Sequence, residues 1–222
     1  MLGPRGAYFA DRAAALSGVP LSTVHDWARK DVLVPSISPE RIKLWSYADL
    51  MGLRIIHWLR HAKVTEDGTE IPRTTMSAVK RALEQLAELD MALWTEESGP
   101  SVVVDRSGEI LVSTQPHHEA AARQRVLDDE LEVLAPFPSQ NGLRGPDLVA
   151  PRPQLRIVPG KLGGSPHVVH TRLESQALGA LVESGLPSAK VYRLYPAIER
   201  SAIDEALDLE KQLARNLRPV AA

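Results

Sequence analysis

The sequence predicts a mainly α-helical chain with small β-hairpins. Three observations predict it. Two short helical stretches meet at a glycine near the N-terminus, one apolar stripe runs at helical spacing through the middle, and short β-branched runs followed by glycine- and proline-punctuated helices close the chain. The 222 residues suit two or three small domains. The boundaries are expected at 1–64, 65–150 and 151–222.

The first element is the run from Ala13 to Trp27. Two short helices that cross steeply need a small side chain in the first, and Ala14 supplies it. The turn needs a positive φ, which Gly18 adopts without steric cost. Six residues on, Val24 can plug the second helix into a core completed by Leu16, Val19 and Trp27. With Val24, Trp27 and Ala28 inward, Ser22, Thr23, His25, Asp26, Arg29 and Lys30 face outward. Such a set can meet a major groove. Ser22, Thr23 and His25 lie nearest base edges, Arg29 and Lys30 nearest phosphates, and Asp26 orients a neighbour.

Downstream, Trp45-Ser46-Tyr47-Ala48-Asp49-Leu50 places Ser46 and Asp49 at capping-box spacing. With this motif, the run from Phe9 to Leu59 resembles the MerR-type winged helix-turn-helix. The resemblance implies an N-terminal DNA-binding unit with a wing, on which Arg41 and Lys43 contact phosphates. The chain departs from that family in having only Trp27 where paired aromatics are usual, and in lacking the cysteines of its metal-sensing members.

In the middle, Lys63–Glu70 is polar around Asp67-Gly68 and reads as a loop, and Pro72 stands where a helix can begin. Met76, Val79, Leu83, Leu86 and Leu93 then define a helix of about twenty residues with one apolar stripe, interrupted by Asp90. The stripe serves either its own domain or a dimer seam. Val102–Val104 and Ile110–Val112 flank a glycine-containing turn and predict a hairpin. Residues 119–134 look helical, with Val126, Leu127, Leu131 and Leu134. A proline- and glycine-rich stretch from Ala135 to Pro153 marks a domain boundary.

The C-terminal part opens on Leu155–Val158, a Pro159-Gly160 turn and Val168-Val169, and continues with helices over 173–184, 187–194 and 197–215. Gly185 stops the first, Pro187 opens the second, and Pro196 separates the last two. The run Lys161–Leu173, the turn Ser184-Gly185-Leu186-Pro187 and Tyr195-Pro196 together resemble the DUF433 family over about residues 155–213. That implies a hairpin followed by a three-helix, helix-turn-helix-like unit. His170 stands where the family prefers glycine. Thr171 and Glu174 are spaced for a capping box, and Arg172 can bind the hairpin backbone or an anion. The family resembles antitoxins of the VapB type, partnered with PIN-like ribonuclease toxins. By that resemblance Arg215 and Arg218 are candidates to enter the toxin's carboxylate pocket.

Composition narrows the alternatives. The chain has no cysteine, which excludes disulfides and thiolate chemistry and fits the cytoplasm. No apolar run approaches a membrane span, and Met1–Arg5 lacks a signal peptide's apolar core. The net charge of −2 hides a basic N-terminal part, an acidic middle and a basic C-terminal part. His57 and His61 have metal-ligand spacing but no HExxH context, and His117-His118 is a polar loop pair. Gly160–Ser165 lacks the order of a phosphate-binding loop. No catalytic, metal or cofactor site is therefore expected. The expected function is a dimeric antitoxin that represses its own operon by binding double-stranded operator DNA and neutralises a PIN-like toxin. The alternatives are a stand-alone MerR-like transcriptional regulator with an effector- or protein-binding C-terminal domain, and an interaction scaffold.

Overall fold

Alanine-rich Ala10–Ser17 forms α1, with Asp11 in its first turn complementing the positive helix end. In this computed structural model, which describes residues 5–61, 63–64, 70–71, 73–116, 130–138 and 142–218, Gly18 ends α1 with a φ of 76°. Leu21–Arg29 follows as α2, burying Val24 and Ala28. Trp27, expected in the core, is half-buried and packs against its edge. Past α2 the chain doubles back, Ser38 pairing with Leu44 and Tyr8 with Trp45.

Helix α3, Tyr47–Arg60, opens with the expected capping box. Ser46 Oγ accepts the Asp49 N–H at 3.1 Å, and Asp49 Oδ2 accepts the Ser46 N–H at 2.7 Å. Burial raises the Asp49 pKa, opposed by hydrogen bonds from Ser36 and Ser46. The helix is buried on nearly every side, as suits a central core element.

Next, β1 (Lys63–Val64) and β2 (Glu70–Ile71) pair antiparallel. Helix α4 covers Met76–Ala87, shorter than its stripe suggested. The Asp90 carboxylate accepts the Ala92 N–H at 2.9 Å and starts a separate turn, leaving Leu93 exposed. Within the stripe Val79 and Leu86 are buried and Leu83 lies against Gly52 of α3, while Met76 is exposed.

The expected hairpin forms from β3 (Pro100–Asp105) and β4 (Ile110–Pro116), and β5 (Glu130–Glu132) adds to the other edge of β3. The helix expected over 119–134 is corrected in its last part. Residues 117–129, with Val126, Leu127 and the His117-His118 pair, lie outside the described residues, and Glu130–Glu132 is a strand. Leu131 is buried, and the Glu132 carboxylate accepts the Val102 N–H at 3.1 Å and the Ser101 hydroxyl, contacts that alternation permits and a helix would not.

The proline- and glycine-rich stretch contains β6 (Phe137–Pro138) paired with β7 (Arg144–Gly145), and it buries Leu143, Leu148 and Val149. Then β8 (Leu155–Arg156) pairs with β9 (His167–Val168), followed by α5 (Ser175–Glu183), α6 (Ser188–Leu194) and α7 (Arg200–Asn216). Gly185, with a φ of 93°, follows α5, and extended Pro187 precedes α6. Among the described residues no helix is long and apolar enough to cross a membrane.

One buried cation joins these parts. Arg54 of α3 is fully buried. Its Nε donates to Ser17 O at 3.2 Å and its guanidinium nitrogens to Leu16 O at 2.9 Å, Val133 O at 2.9 Å, Ala135 O at 2.8 Å and Pro146 O. Burial lowers its pKa to about 10, opposed by the nearby Asp147 carboxylate, so it stays cationic at neutral pH. Two of its acceptors are orphan carbonyls at the negative end of α1. Replacing Arg54 with Leu removes the donors of five buried carbonyls and is expected to cost about 3–5 kcal/mol, read from urea unfolding. Arg54→Lys, with one nitrogen, is expected to recover a minor part. A loss below about 0.5 kcal/mol for Arg54→Leu would contradict this role.

Candidate nucleic-acid interface

The polar face of α2 is open to solvent. Ser22, His25, Arg29 and Lys30 are exposed and Thr23 is half-buried, while Val24 and Ala28 on the opposite face are closed off. Asp26 gathers the two cations: Arg29 Nη2 lies 2.5 Å from Oδ1 and Lys30 Nζ 2.8 Å from Oδ2. The Lys30 bond is the largest influence on Asp26, and together with Arg29 it lowers the carboxyl pKa, opposed by desolvation. Solvent screens such exposed pairs and they hold weakly, so phosphate oxygens can compete for both cations.

The Ser38–Leu44 return places Arg41 at its exposed tip and half-buries Lys43, whose Nζ donates to Pro39 O at 2.9 Å. Ser38 Oγ donates to Ile42 O at 2.9 Å, steadying the tip. At its base, Ser36 donates N–H and hydroxyl to Asp49 Oδ2, both at 2.9 Å, so the capping box of α3 also anchors this loop. Ser22, Thr23, His25 and Arg29 thus share α2, which Lys30 caps, while Arg41 and Lys43 share the return that follows it.

The C-terminal unit is tied to the rest through side chains. Arg12 of α1 and Glu210 of α7 form a bidentate pair at 2.6 and 2.8 Å. Asn216 Nδ2 donates to Ala15 O and Arg144 O, each at 2.9 Å. The glycine loop at 160–165 wraps the N-terminal segment: the Ala7 N–H donates to Gly163 O at 2.8 Å, and the Tyr8 hydroxyl to Gly164 O at 2.8 Å. A Cβ on Gly164 would lie 2.1 Å from that hydroxyl.

Glu96, which no motif singled out, is the hub of a polar cluster. Its Oε1 accepts from Lys161 Nζ at 2.6 Å, faces His167 Nε2 at 2.8 Å and accepts the His170 N–H at 3.3 Å; its Oε2 lies 3.3 Å from His170 Nδ1. Burial raises its pKa, but the bonds from Lys161 and His167 outweigh that and bring it to about 2. His170 adopts the left-handed conformation, with a φ of 59°, so the tight turn persists where glycine was expected. The capping box expected of Thr171 and Glu174 does not form. Thr171 Oγ1 instead donates to Val168 O at 2.8 Å and accepts the Leu173 N–H at 3.0 Å, a local turn that precedes α5. Arg172 is exposed.

With this hairpin and its three helices described, a comparison with known families becomes specific. Residues 156–209 match the DUF433 family, described as proteins of unknown function. No curated protein and no solved structure matches the chain. The DUF433 segment thus runs from β8 into the middle of α7. Arg215 and Arg218 lie beyond it, exposed near the end of α7, with Arg215 Nε donating to Lys211 O at 3.2 Å. His57 and His61 stack with ring centroids 3.9 Å apart.

The Glu96 cluster predicts a pH dependence. A carboxylate whose pKa is depressed on folding contributes above its unfolded value, near 4.5, and loses that contribution as pH falls toward 2. Glu96→Gln is expected to be destabilising at pH 5, with a difference from wild type that shrinks below pH 4.5 and is small near pH 2. A constant difference across that range in urea unfolding would contradict the assignment.

Proposed function

We propose that the chain is a DNA-binding antitoxin. In this reading α1, α2 and the Ser38–Leu44 return act as a MerR-like winged helix-turn-helix. The N-terminal end of α2 enters the major groove of operator DNA. Ser22, Thr23 and His25 approach base edges, while Arg29, Lys30, Arg41 and Lys43 hold phosphates. One α2 helix of modest net charge offers few phosphate contacts, so useful affinity calls for a homodimer on a two-part site. The observation that carries this reading is the sidedness of α2, with Val24 and Ala28 buried and Ser22, His25, Arg29 and Lys30 exposed to solvent.

The DUF433 segment, in the same reading, holds a PIN-like ribonuclease toxin. Arg215 and Arg218 present planar cations suited to a carboxylate-lined pocket. DNA binding and toxin capture by one chain would couple repression of the operon to the supply of antitoxin.

Mobility shifts on the duplex upstream of the protein's own gene test the DNA half. Arg29→Ala with Lys30→Ala should lower the log–log salt slope by about 2, and Asp26→Asn, which frees both cations, should tighten binding. An unchanged slope and affinity in both variants would reject the assignment of α2. For the toxin half, Arg215→Ala with Arg218→Ala should restore ribonuclease activity to a complex with the neighbouring gene product. Full retention of inhibition would reject those two residues.

A further inference from the structure

The turn that joins α1 to α2 occurs a second time. Ser17-Gly18-Val19-Pro20 stands between α1 and α2, and Ser184-Gly185-Leu186-Pro187 stands between α5 and α6. The likeness extends to Val24 and Val191, each four residues past its proline and each fully buried. The backbone repeats as well. Gly18 and Gly185 have φ of 76° and 93°. Pro20 has φ −54° and ψ 137°, and Pro187 has φ −60° and ψ 141°. Pro20 O accepts the Thr23 N–H at 2.9 Å and the Val24 N–H at 3.0 Å; Pro187 O accepts those of Lys190 at 2.8 Å and Val191 at 3.3 Å. In both places a third helix packs on the first, α3 on α1 and α7 on α5.

The two second helices differ in charge. Lys190 and Arg193 on α6 occupy the positions that Thr23 and Asp26 occupy on α2. Where α2 carries a carboxylate that holds its cations, α6 carries none, and both of its cations are exposed. Among the described residues no carboxylate lies within 4 Å of either. The acidic neighbour Asp204 is engaged by the Tyr192 hydroxyl at 2.5 Å, and that bond fixes α6 against α7. The Arg200 guanidinium lies 5.5 Å from the Tyr192 ring centroid, adding a third cation beside the same helix.

We infer that α6 is a second DNA-binding helix, so that each chain carries two helix-turn-helix units, α1–α2 and α5–α6, the latter engaging duplex phosphates through Lys190 and Arg193. The inference rests on the reading of α2 for the nature of the ligand. Because Arg12–Glu210 and Asn216–Ala15 link the first unit to the second, both present fixed faces, and a single chain contacts DNA at two places.

The test uses the full chain and the duplex upstream of its own gene, with salt-dependent titration and hydroxyl-radical footprinting. Lys190→Ala with Arg193→Ala should lower the salt slope by about 2 and remove one protected segment, and Lys190→Arg with Arg193→Lys should restore both. Unchanged urea midpoints control for folding. If the α6 variant keeps slope and footprint while the Arg29/Lys30 variant alters them, the inference fails and the α2 reading stands. If only the α6 variant matters, the inference stands and the α2 reading fails. Absence of binding by the wild type overturns both. A variant that releases the toxin but binds DNA normally assigns this face to protein and also overturns the inference.

Discussion

Arg54 is the constraint on which the arrangement depends. A fully buried guanidinium is tolerable only when its donors are satisfied, and here every acceptor is a backbone carbonyl. Those carbonyls belong to two separate stretches, the end of α1 and the chain from Val133 to Pro146. The cation therefore fixes the C-terminal end of α1 and draws the later stretch against it. The close approach is visible in the glycines: a Cβ on Gly18 would lie 2.4 Å from Gly145 N, and one on Gly145 would lie 2.6 Å from Ser17 O. The turn that sets the direction of α2 is thus held from outside as well as by its own φ angle.

The same logic extends to the C-terminal unit. Arg12–Glu210, Asn216 with Ala15, and Tyr8 with Gly164 all run from the first helical unit to the DUF433 segment or the helix that leaves it. Glu96 adds a contact from the middle of the chain to Lys161, His167 and His170. The DUF433 segment is consequently integrated with the N-terminal unit, and the polar face of α2 is left free because α1, not α2, carries these contacts.

Local signals made part of this legible. Gly18, the Ser46–Asp49 capping box, the hairpin before Ile110 and the punctuation at Gly185 and Pro187 are each encoded within a few residues, and each is found where the pattern put it. The outward set on α2 follows from helical periodicity alone. What stayed hidden depends on partners far away in sequence. Arg54 looks like any charged helix residue, since its acceptors are carbonyls, which every residue type has. Glu96 sits in Trp94-Thr95-Glu96-Glu97-Ser98 without a recognisable spacing to Lys161 or His167. The end of the 119–134 stretch became a strand because β3 offers it an edge, a tertiary effect that local periodicity does not record. The repeated Ser-Gly-Val/Leu-Pro turn is too short to register as a periodic repeat and emerges only when the two backbones are compared.

The central claim is that the free face of α2 meets DNA. Photo-crosslinking tests it most directly, with a benzophenone side chain placed at position 22 on α2 and, as a control, at position 111 on the exposed edge of β4. The account predicts a crosslink to the duplex upstream of the protein's own gene from position 22 and none from position 111. No crosslink from position 22, or equal crosslinking from both, would contradict it.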